Sequence, residues 1–178
     1  IKNKRNNPQY RLERAATYAV LNDNTKAKAD LDFVLSKAQN HPQANYIKAQ
    51  ILLQEQDFSG AQAAAQKVVN TAPKHMSAAL ILGAANYALK NYNQAAEYLI
   101  IYMSADPSNL NAQNLLANVY LEQGKTIQAL LIHEGIPQNR LNSDPQLLIS
   151  LDTAYIRHGE SEKGIQQLKQ AQKLAPDN

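Results

Sequence analysis

Apolar residues recur every three or four positions in successive windows of about 12 to 14 residues, a spacing typical of amphipathic helices. Short polar segments such as NDNT, EQD, QGK and HGE separate these windows and predict turns. No segment shows the alternation of period two that indicates a strand. The pattern therefore predicts an all-α protein built from consecutive helix-turn-helix units.

The helical pattern repeats about every 34 residues, since Pro73 and Pro107 are 34 positions apart in similar contexts. Three further prolines suit the first turn of a helix and open predicted repeats: Pro8, Pro42 and Pro145. The sequence thus predicts a polar tail over residues 1–7 and a single domain over residues 8–178. Its five repeats are 8–41, 42–75, 76–109, 110–144 and 145–178.

Two columns of small residues run through these repeats. Position 20 is occupied by Ala27, Ala61, Ala95, Ala129 and Gly164. Position 8 is occupied by Ala15, Ala49, Gly83 and Ala117, with Asp152 as the exception. Small side chains let the two helices of a unit approach closely, and larger apolar residues fill the space around them.

The third repeat has the clearest motif, and its positions 7, 8, 17, 20, 24 and 32 are Leu82, Gly83, Tyr92, Ala95, Leu99 and Pro107. On these residues, and on their agreement among five copies, the chain resembles the tetratricopeptide repeat (TPR) family. The resemblance implies a right-handed α-solenoid of five TPR repeats, in which neighbouring repeats bury a continuous core.

Polar residues depart from the TPR pattern at several positions. Arg14 and Lys48 occupy position 7, and Asn86 occupies position 11. Arg11 and Arg14 lie where an internal repeat is apolar, so we expect a first helix with one face toward water.

The fourth repeat is one residue longer than its neighbours and contains GIPQNR at 135–140. Gly135 and Pro137 are expected to end its second helix early, because proline cannot continue a helix. We expect a local bend there.

Composition and motifs indicate no enzyme. Of 178 residues, 44% are apolar and 19% charged, and the net charge of +3 is too small and scattered for a nucleic-acid interface. The chain contains no cysteine and no nucleophile-elbow, HExxH, phosphate-loop or dinucleotide-binding motif. We expect no catalytic residue, no cofactor and no metal.

Two groups of titratable residues allow a second interpretation. His41 and His75 share position 34, where we favour turn-exposed residues without a role over metal ligands. Asp152 replaces a small residue, and we favour a structural carboxylate paired with a cation or with His133 over a charge aimed at a ligand.

The distribution of apolar residues along the chain predicts no membrane-spanning segment. No stretch approaches the roughly 18 apolar residues of a transmembrane helix, so we expect no direct membrane insertion by this segment. The chain begins IKNKRNNPQ, without an initiator Met or an apolar signal core, and we interpret it as a mature or excised segment.

The resemblance to TPR proteins implies a concave groove lined by positions 2, 5, 9 and 12 of each first helix. The candidate peptide-binding residues are Tyr46, Gln50, Leu53, Leu80, Ala84, Tyr87, Asn111, Asn114, Asn118, Leu121, Ile149 and Thr153. The remaining groove positions are Gln9, Leu12, Ala16, Ala19, Gln43, Ser77, Gln146 and Ile156.

Three of these residues, Asn111, Asn114 and Asn118, fall on one helical face. Asparagine is neutral to unfavourable inside helices, and its amide can donate to and accept from a peptide backbone. A ligand groove and a solvated polar face both explain the three asparagines, and the sequence leaves both open.

TPR domains that hold the acidic C-termini of heat-shock chaperones use lysine and arginine at fixed repeat positions. None of the three possible frames of this chain supplies a cation there. The resemblance therefore disfavours that class of ligand.

A narrower resemblance concerns HPQANYIKAQILLQEQDFSGAQAAAQKVV, YNQAAEYL and NAQNLLANVYLEQG. These runs are similar to TPR lipoproteins associated with PEP-CTERM and exosortase systems in Gram-negative bacteria. That resemblance implies an upstream lipid anchor, a periplasmic or outer-membrane setting, and a role in exopolysaccharide or surface-protein export. Without it, a cytoplasmic location is expected.

The leading hypothesis is a non-enzymatic scaffold that binds a peptide or protein segment of unknown identity in the groove, mainly around repeats 2 to 4. The alternative is a structural or assembly module that self-associates through its convex face or its ends. Tyr98, Ile101 and Tyr102 could contribute to that second surface.

Overall fold

The computed structural model describes residues 6–174, which form eleven helices and no strand. These residues belong to two compact units, one ending at Asn91 and the other beginning at Tyr92. Unit 1 contains α1 (Pro8–Val20), α2 (Asn24–Lys37), α3 (Pro42–Gln54), α4 (Phe58–Thr71) and α5 (Met76–Ala88). Unit 2 contains α6 (Tyr92–Met103), α7 (Leu110–Glu122), α8 (Thr126–Glu134), α9 (Gln138–Leu141), α10 (Pro145–Arg157) and α11 (Ser161–Leu174).

The predicted all-α class and the order of helices and turns are confirmed. The boundary between the units lies between the two helices of the third predicted repeat. The single domain over residues 8–178 stays a prediction, and its C-terminal end lies outside the described residues.

The residue before each first helix caps that helix. Side chains of Asn7, His41, His75, Asn109 and Asp144 accept hydrogen bonds from backbone amides of the first turn. The two histidines accept through Nδ1, at 3.4 Å for His41 and 3.2 Å for His75. The expectation that they have no role is therefore wrong, because each satisfies an amide that has no partner within its helix.

The turn between the paired helices has one backbone conformation in all five repeats. Position 15 has a positive φ: 57° at Asn22, 63° at Gln56, 62° at Lys90, 72° at Gly124 and 89° at Gly159. In each turn the amide of position 16 donates to the carbonyl of position 11 at 2.8 to 2.9 Å, as in a Schellman motif. Glycine occupies only two of these five sites, so the turn does not depend on glycine.

Small residues mark the contacts between paired helices in unit 1. Ala15 and Ala27 are 0% exposed and belong to one core cluster with Leu31, Val34 and Ile47. Helix α1 packs on α2, and α3 packs on α4. This burial agrees with the prediction that small residues at positions 8 and 20 let the paired helices approach closely.

A charged cluster holds the first hairpin together. Asp30 on α2 is 2% exposed and accepts from Arg14 Nε at 2.6 Å and from Arg11 Nη1 at 3.1 Å. The Arg11 guanidinium also lies 4.2 Å from the centre of the Phe33 ring. Hydrogen bonds from Arg14 hold the pKa of Asp30 below its ordinary value and outweigh the opposing effect of burial.

The expected water-facing side of α1 is therefore wrong for Arg11 and Arg14. Their side chains are 23% and 33% exposed, and they compensate a buried carboxylate. A buried charge is tolerated only with such partners.

The second helix of the fourth repeat ends early, as predicted. Helix α8 has nine residues, and the one-turn helix α9 follows Gly135 and Pro137. Ile136 and Leu141 are each 4% exposed and belong to the core of unit 2. These two side chains therefore continue the hydrophobic core beyond the end of α8.

The fifth repeat has a larger residue than the others at position 8 and a smaller one at position 20. Asp152 on α10 is 7% exposed, and within residues 6–174 its Oδ1 has no hydrogen-bond partner. Burial raises the pKa of this carboxyl. A Cβ at Gly164 would lie 2.9 Å from Asp152 Oδ1 and 2.8 Å from Ile156 Cγ1. The larger residue at position 8 thus requires the smallest one at position 20.

The favoured pairing of Asp152 with a cation or with His133 is wrong within the described residues. His133 contacts Ser150 instead, at 3.1 Å.

We expect Gly164→Ala to lower the free energy of unfolding by about 1–3 kcal/mol, because the added methyl overlaps Asp152 and Ile156. In an Asp152→Ala background the same substitution should cost less, with a coupling of about 0.5 kcal/mol or more. Urea denaturation of the wild type, both single variants and the double variant measures this coupling. Strict additivity would contradict the steric explanation.

Candidate functional site

A concave pocket of about 370 Å³ lies between α1 and α3 in unit 1. Its lining residues are Ala16, Ala19, Val20, Gln43, Ile47, Gln50, Ile51 and Gln54. Ile47 and Ile51 are 4% and 2% exposed and form an apolar floor, while the three glutamines are partly or fully exposed. The glutamines lie seven and four residues apart, so they share one face of α3.

The lining of this pocket is uncharged. Gln54 Nε2 donates to Asn22 Oδ1 at 3.2 Å, so one amide is tied to the turn after α1. Gln43 and Gln50 present accessible amides, each of which can donate and accept. An apolar floor with a few convergent amides suits an uncharged segment that carries backbone amides and small apolar side chains.

One of the six candidate groove residues in unit 1, Gln50, lines this pocket. Tyr46 is half-buried, and its ring centre lies 4.6 Å from that of His75 with an interplanar angle of 46°. The other four are half-buried on α3 and α5: Leu53, Leu80, Ala84 and Tyr87.

Sequence reasoning missed the floor residues Ile47 and Ile51, which occupy positions 6 and 10, and it also missed Val20 and Gln54. Val20 and Gln54 both occupy position 13 of their repeats, one residue beyond the last groove position implied by the TPR resemblance. Their shared position is the signal that could have identified them.

The candidate residues of unit 2 lie on α7 and α10. Asn111 is exposed, Asn114 is half-buried, and Ile149 is 37% exposed. Thr153 is half-buried and donates its hydroxyl to the Ile149 carbonyl at 2.9 Å. Leu121 is only 3% exposed within the hydrophobic core, so its assignment to an open groove is wrong.

Asn118 is part of a polar network between α7, α8 and α10. Its Oδ1 accepts from Ser150 Oγ at 2.9 Å, and Ser150 Oγ lies 3.1 Å from His133 Nε2. His133 is 2% exposed and Ser150 is 4% exposed. Burial lowers the pKa of His133 to about 4, so the imidazole is neutral at pH 7.

Asn111 also borders a polar depression of about 420 Å³ in unit 2. Arg140 of α9 also lines this depression and donates to the Ser108 carbonyl at 3.4 Å. The inserted helix of the fourth repeat therefore adds a cation near the start of α7.

Within residues 6–174, no group of three or more His, Asp or Glu side chains is arranged to hold a metal ion. In the same part of the chain, no helix has both the length and the apolar character needed to cross a membrane.

Comparison of the sequence with protein families gives a match to part of the helical repeats. A family model described as "Anaphase-promoting complex, cyclosome, subunit 3" matches residues 27–101, less than half of the chain. No curated protein sequence matches the chain significantly.

Several solved structures have the same fold at low sequence identity. YrrB, described as a TPR protein with an unusual peptide-binding site, has a TM-score of 0.86 and 16% identity over 100% of this chain and 91% of its own. MamA (MSR-1) has a TM-score of 0.83 and 16% identity over 95% and 97%. TTC0263 of Thermus thermophilus, also a TPR protein, has a TM-score of 0.65 and 18% identity over 97% and 93%. The chain therefore has the helical-repeat fold of TPR proteins, as its sequence predicted.

We expect the stability of the protein to fall as the pH is lowered from about 6.5 to 4, because the unfolded chain protonates His133 more readily than the folded one does. The loss should reach about 3 kcal/mol, since one pKa unit corresponds to about 1.4 kcal/mol. Urea denaturation at several pH values should give a shallower dependence for His133→Leu than for the wild type. His158→Gln, at an exposed site, is the control, and equal slopes in wild type and His133→Leu would contradict the expectation.

Proposed function

We propose that this chain is a non-enzymatic scaffold that binds a peptide or protein segment on the faces of its first helices. The observation that carries the proposal is the uncharged pocket between α1 and α3, with its apolar floor and its accessible glutamines. The description of YrrB as a TPR protein with a peptide-binding site supports this function by analogy of fold alone.

The shape of the pocket follows from Ala16 and Ala19, which leave space along α1 that larger side chains would fill. Gln43 and Gln50 can each pair with both the N–H and the C=O of an extended backbone. Because the lining carries no cation, an acidic segment gains no charge pairing there. The proposed ligand is therefore a segment with a neutral, mainly small and apolar sequence.

In unit 2 we propose Asn111, Asn114, Asn118, Ile149 and Thr153 as a second binding face. Its amides and its isoleucine are residue types that also suit an uncharged segment; Asn111 is exposed, whereas Asn114 and Asn118 are half-buried. Leu121 is excluded from this set because it is buried.

The pocket in unit 1 can be tested by filling it. Peptides selected from a random displayed library on the wild type should bind Ala19→Trp at least about tenfold more weakly, a loss of about 1.4 kcal/mol. Ala29→Trp is the control, because Ala29 is an exposed alanine on α2 outside the pocket, so that the same substitution there leaves the pocket open. Fluorescence anisotropy measures affinity, and circular dichroism checks the fold. Equal affinity of Ala19→Trp and wild type would refute the assignment of the pocket.

We further propose a role in export at the bacterial envelope, which rests on the sequence resemblance to PEP-CTERM-associated lipoproteins. Reading the gene upstream of residue 1 tests this setting. A coding sequence without a lipoprotein signal would contradict the proposed role at the bacterial envelope.

Exposed aliphatic residues in unit 2 favour self-association as the alternative function. Ile127 and Leu131 lie one turn apart on α8 and are each 60% exposed, and Ile100 on α6 is 51% exposed. Of the three residues named from the sequence, Ile101 is 38% exposed. Tyr98 and Tyr102 are half-buried, and the Tyr102 hydroxyl bonds to Asp106 and Asn109.

If self-association is the function, sedimentation velocity should show a concentration-dependent oligomer that Ile127→Glu/Leu131→Glu abolishes, because charges oppose burial of that surface. Thr25→Glu/Ala29→Glu alters the same two repeat positions on α2 and should leave the oligomer intact. A wild type that stays monomeric at high concentration would refute this alternative.

A further inference from the structure

The hydrogen bonds of Asn118 distinguish the two ends of its carboxamide. Oδ1 faces inward and accepts from Ser150. The side chain is half-buried, and among residues 6–174 its Nδ2 has no hydrogen-bond acceptor. The N–H groups of Asn118 are therefore free to bind a molecule at the surface.

The number of available protons fixes the direction of the chain of bonds. Ser150 has one hydroxyl proton, which it donates to Asn118, so His133 must supply the proton between Nε2 and Ser150 Oγ. The reversed chain would place the proton of the neutral imidazole on Nδ1. That atom is buried and has no partner within residues 6–174. Buried N–H groups without an acceptor are rare, so the Nε2–H form is favoured.

The network lies where the fourth repeat meets the fifth: Asn118 and His133 belong to the fourth repeat, and Ser150 belongs to the fifth. Position 6 is apolar in the second, third and fourth repeats, where it is Ile47, Ile81 and Leu115. Position 24 is apolar in every repeat except the fourth, where it is His133. A buried polar pair at positions that are apolar in most of the other repeats is stable only when its members satisfy one another.

We propose that His133 and Ser150 are positioning residues that fix the Asn118 carboxamide with Nδ2 outward, so that this point binds a hydrogen-bond acceptor such as a peptide carbonyl. This inference rests on the proposed function for its ligand, a peptide backbone. The orientation itself can be measured without any ligand. Asn118 then differs from a freely rotating asparagine, which can present either its donor or its acceptor.

Nitrogen-15 NMR of the labelled full chain tests the proposal. We expect His133 as the Nε2–H tautomer, and Asn118 Nδ2 protons that show contacts with water. Ser150→Ala should shift the Asn118 side-chain signals and the His133 ring signals, and Ser150→Thr should restore them, because threonine keeps the hydroxyl. The Asn114 side-chain signals are the control and should stay unchanged, because Asn114 is outside the network.

An Nδ1–H tautomer of His133 would overturn the proposal, as would Asn118 signals that do not respond to Ser150→Ala. If both Ser150 variants misfold, the His133 tautomer and the water contacts of Asn118 Nδ2 in the wild type still test the proposal. A failure to select any binding peptide would contradict the proposed function and leave these signals unaffected, so the two failures are distinguishable.

Discussion

Close contact between paired helices at small side chains is the constraint on which the rest of the structure depends. Ala15 and Ala27 in unit 1, like Ala117 and Ala129 in unit 2, are 0% exposed. A larger residue at one position requires a smaller one opposite, as Asp152 and Gly164 show. Because the helices meet so closely, the leucines and valines around these points are buried as well, and a short hairpin gains a core.

The polar residues inside this core mostly have partners specific to their repeat. Asp30 is paired with two arginines, and Asn45 donates to the Gln39 carbonyl at 2.9 Å. Asn86 departs from the TPR pattern at position 11. Its side chain donates to the Leu82 carbonyl at 2.8 Å and accepts from Gln62 at 2.7 Å. These departures are explained by hydrogen bonding that stabilises particular helix contacts, and Asp152 is the one described carboxylate of the core without such a bond.

The candidate surfaces depend on residues that the core does not need. Ala16 and Ala19 leave the space that makes the unit 1 pocket concave, and the accessible glutamines of α3 give that pocket hydrogen-bonding groups without charge. In unit 2, the buried Ser150 and His133 extend the core network to Asn118 at the surface. In unit 2 the core therefore reaches the candidate surface through the Asn118 side chain, whereas in unit 1 small residues shape the candidate pocket.

The sequence by itself determined the all-α fold, the repeat period, the turns, the proline-led helix starts and the early end of α8, because each depends on neighbours close in the chain. It also identified the small contact columns, since five copies repeat them. Only the tertiary structure decided that Arg14 pairs with Asp30, that Leu121 lies in the core, and that the unit 1 pocket includes Val20. These outcomes depend on which side chains of other helices approach a given position, and spacing along one helix does not contain that information.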